Sequence, residues 1–310
     1  MTSQALNRRR WARLALATAA LLQLAACAGL QTPPPALSPQ RIADIVASPD
    51  RTAADRINDQ RRKPEPLLAF IAPRPGMVAL DLFAGGGYTS ELLARAIGPG
   101  GQVHGQFQPR DAARLPTPPA APEGNSHPMP GSTSSASAVP VLPAVPAASP
   151  PPPAAPPRTS ATALAERQQR MQSAGVAAAP LVAVASRFDD PVPAALASAQ
   201  IDLVTLMFNY HDLGHMGVDR AAMNRALFKA LKPGGVYVIA DHAGRPGTGI
   251  AEAGTLHRID EAFLRQEVEA AGFKWQASAD FLRNPADPRD RNTPQPAMPK
   301  DEFVLRFVKP

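Results

Sequence analysis

Asn209-Tyr210-His211-Asp212 and Asp241-His242 each close an apolar run, Ile201 to Phe208 and Val236 to Ala240. An imidazole steadied by a carboxylate exchanges a proton near neutral pH, so His211 is the expected proton acceptor. His242 is expected to face it across a cleft, with Asp212 or Asp241 fixing the tautomer. His211 and His215 stand four residues apart, which places two imidazoles on one helical face, and with His242 and Asp212 they make a conceivable ligand set. Gly214 between them weakens a helix there, and no metal is expected. His257 is expected to be a hydrogen-bonded structural residue.

Those residues need a scaffold, and the chain announces it at Val78 to Leu93. Apolar residues lead to Asp81, Gly85-Gly86-Gly87 follow, and Leu92 and Leu93 restore helical spacing. Strand, glycine turn and helix in that order cradle a nucleotide-like ligand, because glycine lets the backbone turn sharply and approach closely. Further strands are expected around Val103 to Gln108, at Leu181 to Ala185, Ile201 to Phe208, Val236 to Ala240 and Phe303 to Val308. Helical patterns cover Arg41 to Val46, Thr52 to Lys63, Pro64 to Ala72, Ala161 to Ser173, Asp219 to Leu231 and Arg258 to Ala271. This alternation predicts an α/β, doubly wound, mostly parallel sheet. Ligands of such sheets bind outside the carboxyl ends of the strands, here Asp81 to Tyr88, Gln106 to Gln108, Asp189, Asn209 to Asp212 and Asp241-His242. Arg61-Arg62-Lys63 reads as a solvated helix end.

The amino terminus predicts export. Arg8, Arg9, Arg10 and Arg13 precede a short apolar stretch, and Leu24-Ala25-Ala26-Cys27 then resembles a bacterial lipobox. Residues 1–26 are therefore expected to be a signal peptide. Cys27, the only cysteine, is expected to be acylated, with 27–39 a proline-rich tether to the lipid bilayer. Ala28 after it points to an outer-membrane lipoprotein on the periplasmic side of the envelope. The four arginines before Cys27 carry four of the six net positive charges, leaving +2 on the mature chain. That balance, without a basic face interleaved with aromatics, argues against a nucleic-acid partner. The remaining 40–310 form one domain, interrupted at 113–160 by a Pro/Ala/Ser-rich insertion. Between Pro116 and Pro157, 15 of 42 residues are proline, a composition that cannot bury a core and predicts disorder.

Asp81 ahead of the glycines, together with Lys232-Pro233-Gly234-Gly235 before a later strand, resembles class I S-adenosylmethionine-dependent methyltransferases. Arg62-Lys63-Pro64, Gly85-Gly86-Gly87-Tyr88, Asn209 to Asp212, Asp241-His242 and Leu256 to Asp260 resemble a family of exported bacterial proteins known only as predicted methyltransferases. The resemblance implies a Rossmann-like seven-stranded sheet with an antiparallel last strand, and S-adenosylmethionine as cofactor. It assigns cofactor binding to Asp81, Phe83, Ala84, Gly85, Gly86, Gly87, Tyr88, Asp189 and Asn209. Asp81 would meet the cofactor's amino group, Phe83 or Tyr88 its sulfonium, and Asp189 its adenine. Catalysis falls to His211, Asp212 and His242, with the methyl acceptor unspecified. The sequence departs from the superfamily pattern twice: Phe83 replaces the first glycine, and Gln106 or Gln108 stands where an acid usually holds the ribose. The alternative implied is a catalytically degenerate binding or scaffold lipoprotein on the same fold. A dinucleotide oxidoreductase is disfavoured, since Gly-x-Gly-x-x-Gly with an acid some 20 residues on is missing.

Overall fold

The apolar runs form the sheet. In the computed structural model, which describes residues 35–109 and 159–310, β1 is Val78–Leu82, β2 Gln102–Phe107, β3 Leu181–Ala185, β4 Ile201–Met207, β5 Leu231–His242, β6 Lys274–Ala279 and β7 Glu302–Val308. The export signal, Cys27, most of the tether and the proline-rich insertion lie outside the described residues. The strand order is β3-β2-β1-β4-β5-β7-β6, with β7 antiparallel to both neighbours and the other pairings parallel. This is the expected Rossmann-like architecture with its antiparallel last strand.

Alternating side chains split into two cores. Leu80, Leu82, Val204, Leu206, Tyr237, Ile239, Phe303 and Leu305 face one side. There α7 (Arg220–Ala230) contributes Met223 and Leu227, and α9 (Glu261–Ala270) contributes Leu264 and Val268. Ala79, Leu203, Val238, Ala240 and Val304 face the other side. They pack on Leu67 and Ile71 of α3 (Pro64–Ile71), Leu93 and Ile97 of α4 (Tyr88–Ile97) and Met171 of α5 (Ser160–Ser173). Each fully buried Leu or Ile contributes about 1.5–3 kcal/mol, so the central strands are the most strongly specified part of the chain. Two amino-terminal helices, α1 (Pro39–Ala47) and α2 (Ala53–Arg62), are capped by Ser38 and Thr52. Ile42 and Ile45 of α1 pack with Leu92 and Ala96 of α4.

Several boundaries differ from the sequence reading for local reasons. The helix expected from Arg258 starts at Glu261, because the Asp260 carboxylate caps it by accepting from Ala262 N at 2.9 Å. Arg258 is instead fully buried, donating to Asp287 at 2.8 Å and to Ala243 O at 3.0 Å. Lys232-Pro233-Gly234-Gly235 belongs to the start of β5, with Gly234 at φ 75° and its N–H bonded to Lys309 O. Strand β6 carries no sequence signal, since Lys274 to Ala279 is a largely exposed, polar edge strand with no apolar run.

Candidate functional site

Strand order reverses between β1 and β4, and the glycine turn sits there. Asp81 pairs in register with Gly105 of β2 and Thr205 of β4. Phe83 follows with φ 51°, the left-handed region, and so takes the conformation that a glycine supplies freely, at a cost of roughly 1–2 kcal/mol. Its ring lies flat on Phe188, with centroids 3.7 Å apart and planes 2° from parallel, which holds the strained residue in place. Ala84 N donates to Gln106 O and Gly87 N to Ala84 O, while the Gly85 and Gly86 amides find no acceptor among the described residues. Arg167 of α5 clamps the turn: its Nε donates to Gly86 O at 2.5 Å, and its two Nη groups reach Asp55 at 2.7 and 2.9 Å and Glu91 at 2.5 Å.

The turn borders a cavity of about 250 Å³ whose lining includes Asn58, Arg62, Asp81, Tyr88, Arg167 and Asn209. Asp81 is buried and accepts from Ser90 Oγ at 2.6 Å and Thr205 Oγ1 at 2.7 Å. Burial pushes its carboxyl up to about 6, against the opposing pull of those hydroxyls and of Arg62. Arg62 is no solvated helix end: its guanidinium stacks 4.1 Å from the Phe208 ring and forms no ion pair among the described residues. Burial, and then Arg61, lower it to about 10. Tyr88 donates its hydroxyl to Asp59 at 2.6 Å, leaving its ring to the cavity.

The expected nucleoside contacts are placed differently. The Gln106 side chain is fully buried and engaged at both ends, accepting from Phe83 N at 3.3 Å and donating to Ser186 O at 2.9 Å. Gln108 Oε1 accepts from Phe188 N at 3.3 Å. Asp189 does not line the cavity and is held by the exposed Arg187 at 2.5 and 2.8 Å. The residues therefore fit the amino-acid end of S-adenosylmethionine: free amide donors and Arg62 for a carboxylate, Asp81 and Asn209 for an ammonium. At the nucleoside end, the strand-end glutamines are already bonded to main chain. The volume also falls below the ~300 Å³ at which small-molecule pockets usually begin.

Asn209 joins this cavity to a second centre, donating to Asp212 Oδ2 at 3.0 Å. Asp241 fixes His211 by both ends, accepting from its Nδ1 at 2.6 Å and from its backbone N–H at 2.8 Å. Asp212 Oδ1 then lies 3.2 Å from His211 Nε2, 3.3 Å from His257 Nδ1 and 3.9 Å from His215 Nδ1. Burial works against a charged His211 ring, but Asp241 and Asp212 outweigh it and push it up to about 10. Asp212 is likewise drawn down to about 2 by His211, in spite of burial. With no cation beside it, the two carboxylates thus favour the protonated ring, the wrong form for the expected proton acceptor. His242 does come near, its ring 5.4 Å from that of His211, but its Nδ1 faces Glu302 Oε1 at 3.0 Å, and Arg61 Nη1 donates to that same oxygen at 3.1 Å. The side chains that reach solvent are Asp212, His215 and His257, not the buried pair His211 and His242.

Sequence reasoning did not assign Asn58, Arg62 or Arg167 to a site. They reach the cavity from helices outside the strand-end loops, and of the three only Arg62, within Arg62-Lys63-Pro64, carries a local signal. His257, expected to be a hydrogen-bonded structural residue, adopts φ 51° with its Nδ1 3.3 Å from Asp212 Oδ1.

No family model matches the chain, and no curated protein matches it. Among solved structures it is similar to an S-adenosylmethionine-dependent methyltransferase from Aquifex aeolicus, at 14% identity over 88% of this chain and 100% of that one, TM-score 0.48. It is also similar to the cyclase SpnF (13%, 90% and 98%, TM-score 0.47). A third is an S-adenosylmethionine-dependent methyltransferase from Mesorhizobium loti (13%, 79% and 96%, TM-score 0.41). At such identities no substrate or residue role carries over, and the fold rests on the strand order itself.

Proposed function

We propose that this chain is an S-adenosylmethionine-dependent methyltransferase. The observation that supports it most is the Asp81-to-Gly87 turn at the point where a β3-β2-β1-β4-β5-β7-β6 sheet reverses direction, with β7 antiparallel. The Gly85 and Gly86 amides and Arg62 would hold the cofactor's carboxylate, Asp81 and Asn209 its ammonium, and the Phe83 and Tyr88 rings would border its sulfonium. When bound, the cofactor supplies an electrophilic methyl group on sulfur. The chain's contribution is positioning. Asn209 connects the cofactor cavity to Asp212, so the acceptor's polar group is received by Asp212 and His257, while Asp241 and the buried His211 keep Asp212 in place.

Calorimetry with S-adenosylmethionine, its demethylated product and NAD tests this reading. Binding of the first two, weakened by Arg62→Met and by Asp81→Asn, is the expected result. Binding of neither at millimolar concentration overturns it and leaves the scaffold alternative, and NAD binding overturns it in favour of an oxidoreductase.

The same reading places the domain on the periplasmic side of the envelope, tethered through acylated Cys27, because an arginine-rich start, a short apolar run and Leu24 to Cys27 precede it. Fatty-acid labelling that disappears in Cys27→Ala is expected. A chain that is unlabelled and stays in the cytoplasm refutes the anchoring.

A further inference from the structure

The centre around Asp212 has the spacing of a coordination sphere. Two atoms bound about 2.0–2.1 Å from one tetrahedral ion stand roughly 3.3–3.4 Å apart. Asp212 Oδ1 is 3.2 Å from His211 Nε2 and 3.3 Å from His257 Nδ1, and all three atoms lie within 4.8 Å of one another. His211 Nε2 is buried, and its 3.2 Å contact to Asp212 Oδ1 misses the alignment of a hydrogen bond. Its other nitrogen is held by the fully buried Asp241 at 2.6 Å, the carboxylate support that orients a ligating histidine and fixes which nitrogen is left for the ion. Asp212 is prepared in the same way, with Oδ2 taken by Asn209 and Oδ1 left toward the imidazoles.

The backbone around these groups is shaped to bring them together. His215 ends the single-turn α6 (Asp212–His215), and His257 follows α8 (Ala253–Leu256). A Cβ on Gly254 would meet His215 Cβ at 3.2 Å, and one on Gly214 would meet Ile250 at 2.4 Å. Two glycines thus allow α6 and α8 to close on each other, until the His215 and His257 ring centroids are 5.9 Å apart. His257 reaches its place through a left-handed backbone conformation, a strain found where a side chain is held for binding.

We infer that His211 Nε2, Asp212 Oδ1 and His257 Nδ1 bind a divalent transition-metal ion, with a fourth position open and His215 beside it. Two imidazoles and one carboxylate suit zinc, cobalt or iron(II) rather than magnesium or calcium, and an open position admits a substrate oxygen or nitrogen. The site is one hydrogen bond from the glycine-turn cavity, through Asn209. It does not depend on the methyltransferase reading, since none of its three ligands lines that cavity.

The test uses untagged protein stripped with chelator and titrated with cobalt(II) chloride and with zinc chloride in competition with a chromophoric chelator. One equivalent bound with micromolar or tighter affinity, and a visible cobalt band of a four- or five-coordinate site, are expected. His257→Ala and Asp212→Asn are each expected to lose at least tenfold in affinity, and His257→Cys to retain binding with a thiolate-to-cobalt charge-transfer band. Thermal unfolding of the metal-free variants shows whether they fold. No binding by the unaltered chain at 100-fold excess metal overturns the inference. So does binding that folded His257→Ala and Asp212→Asn keep unchanged, which marks a surface ion elsewhere.

Discussion

Asp81 is the residue at which folding and ligand binding pull in opposite directions, and Asp81→Asn separates them. The carboxyl is 2% exposed, between the hydroxyls of Ser90 and Thr205. Burial moves its ionisation from 3.8 to about 6, which corresponds to about 3 kcal/mol. The native state holds this proton more tightly than the unfolded chain. The stabilisation is therefore fully present below about pH 4 and is lost as pH rises through about 6. At neutral pH the ionised group is a standing cost. Asp81→Asn removes the charge and keeps both contacts, because each hydroxyl can turn to donate to the amide oxygen or accept from its nitrogen. Against this, Arg62 loses an opposite charge facing it in the cavity. The net expectation at pH 7.5 is a variant more stable by about 1–3 kcal/mol, each kcal/mol raising Tm by roughly 2–4 °C in a domain of this size. The gain should fade by pH 4. Thermal melts of both proteins followed by circular dichroism from pH 4 to 8 give the difference curve directly. Calorimetry on the same pair should show the opposite order for an amine-bearing ligand, with wild-type affinity falling below pH 6 as Asp81 takes up its proton. A variant less stable than wild type at pH 7.5, or a stability difference that does not change with pH, refutes the reasoning.

Three further outcomes follow from the clamp around the turn. Arg167→Met leaves buried Asp55 without its two-pronged partner and frees Gly86 O, so urea unfolding should show a loss of about 3–5 kcal/mol; a loss under 1 kcal/mol would show that Thr52 suffices for Asp55. Gly86→Ala should unfold within about 1 kcal/mol of wild type, since its Cβ meets nothing within 4 Å, whereas Gly87→Ala, at φ 77° and 2.9 Å from both Arg167 and Leu164, should lose about 2 kcal/mol or more. Equal effects in the two would remove the geometric account. Phe83→Gly gives up the stack on Phe188 but relieves the left-handed strain, so stability should fall by no more than about 2 kcal/mol while the demethylated cofactor product binds at least tenfold more tightly; unchanged affinity would show that the ring does not restrict the cavity.

The parts that were legible in the sequence are those built from neighbouring residues. Apolar runs ending in Asp81, Asn209 and Asp241 marked strands whose carboxyl ends converge, because parallel strands buried on both faces leave continuous apolar stretches and their polar residues collect at one edge. Strand β6 escaped because an exposed edge strand needs no such run. The clamp escaped for a different reason. Arg167 meets Gly86 across 81 positions and Asp55 across 112, and nothing local distinguishes it from a solvated helix arginine. The departures at Phe83 and Gln106 looked like two independent defects. In the structure they are one arrangement: Gln106 accepts from the Phe83 amide and donates to Ser186 O, while the Phe83 ring lies on Phe188 two residues further along that same loop. A side chain used this way cannot also serve a ribose. Glycine at 83 would keep the amide that Gln106 accepts from and lose only the stack on Phe188, whereas an acid at 106 would lose the donor to Ser186 O and with it the tie to the loop that carries Phe188.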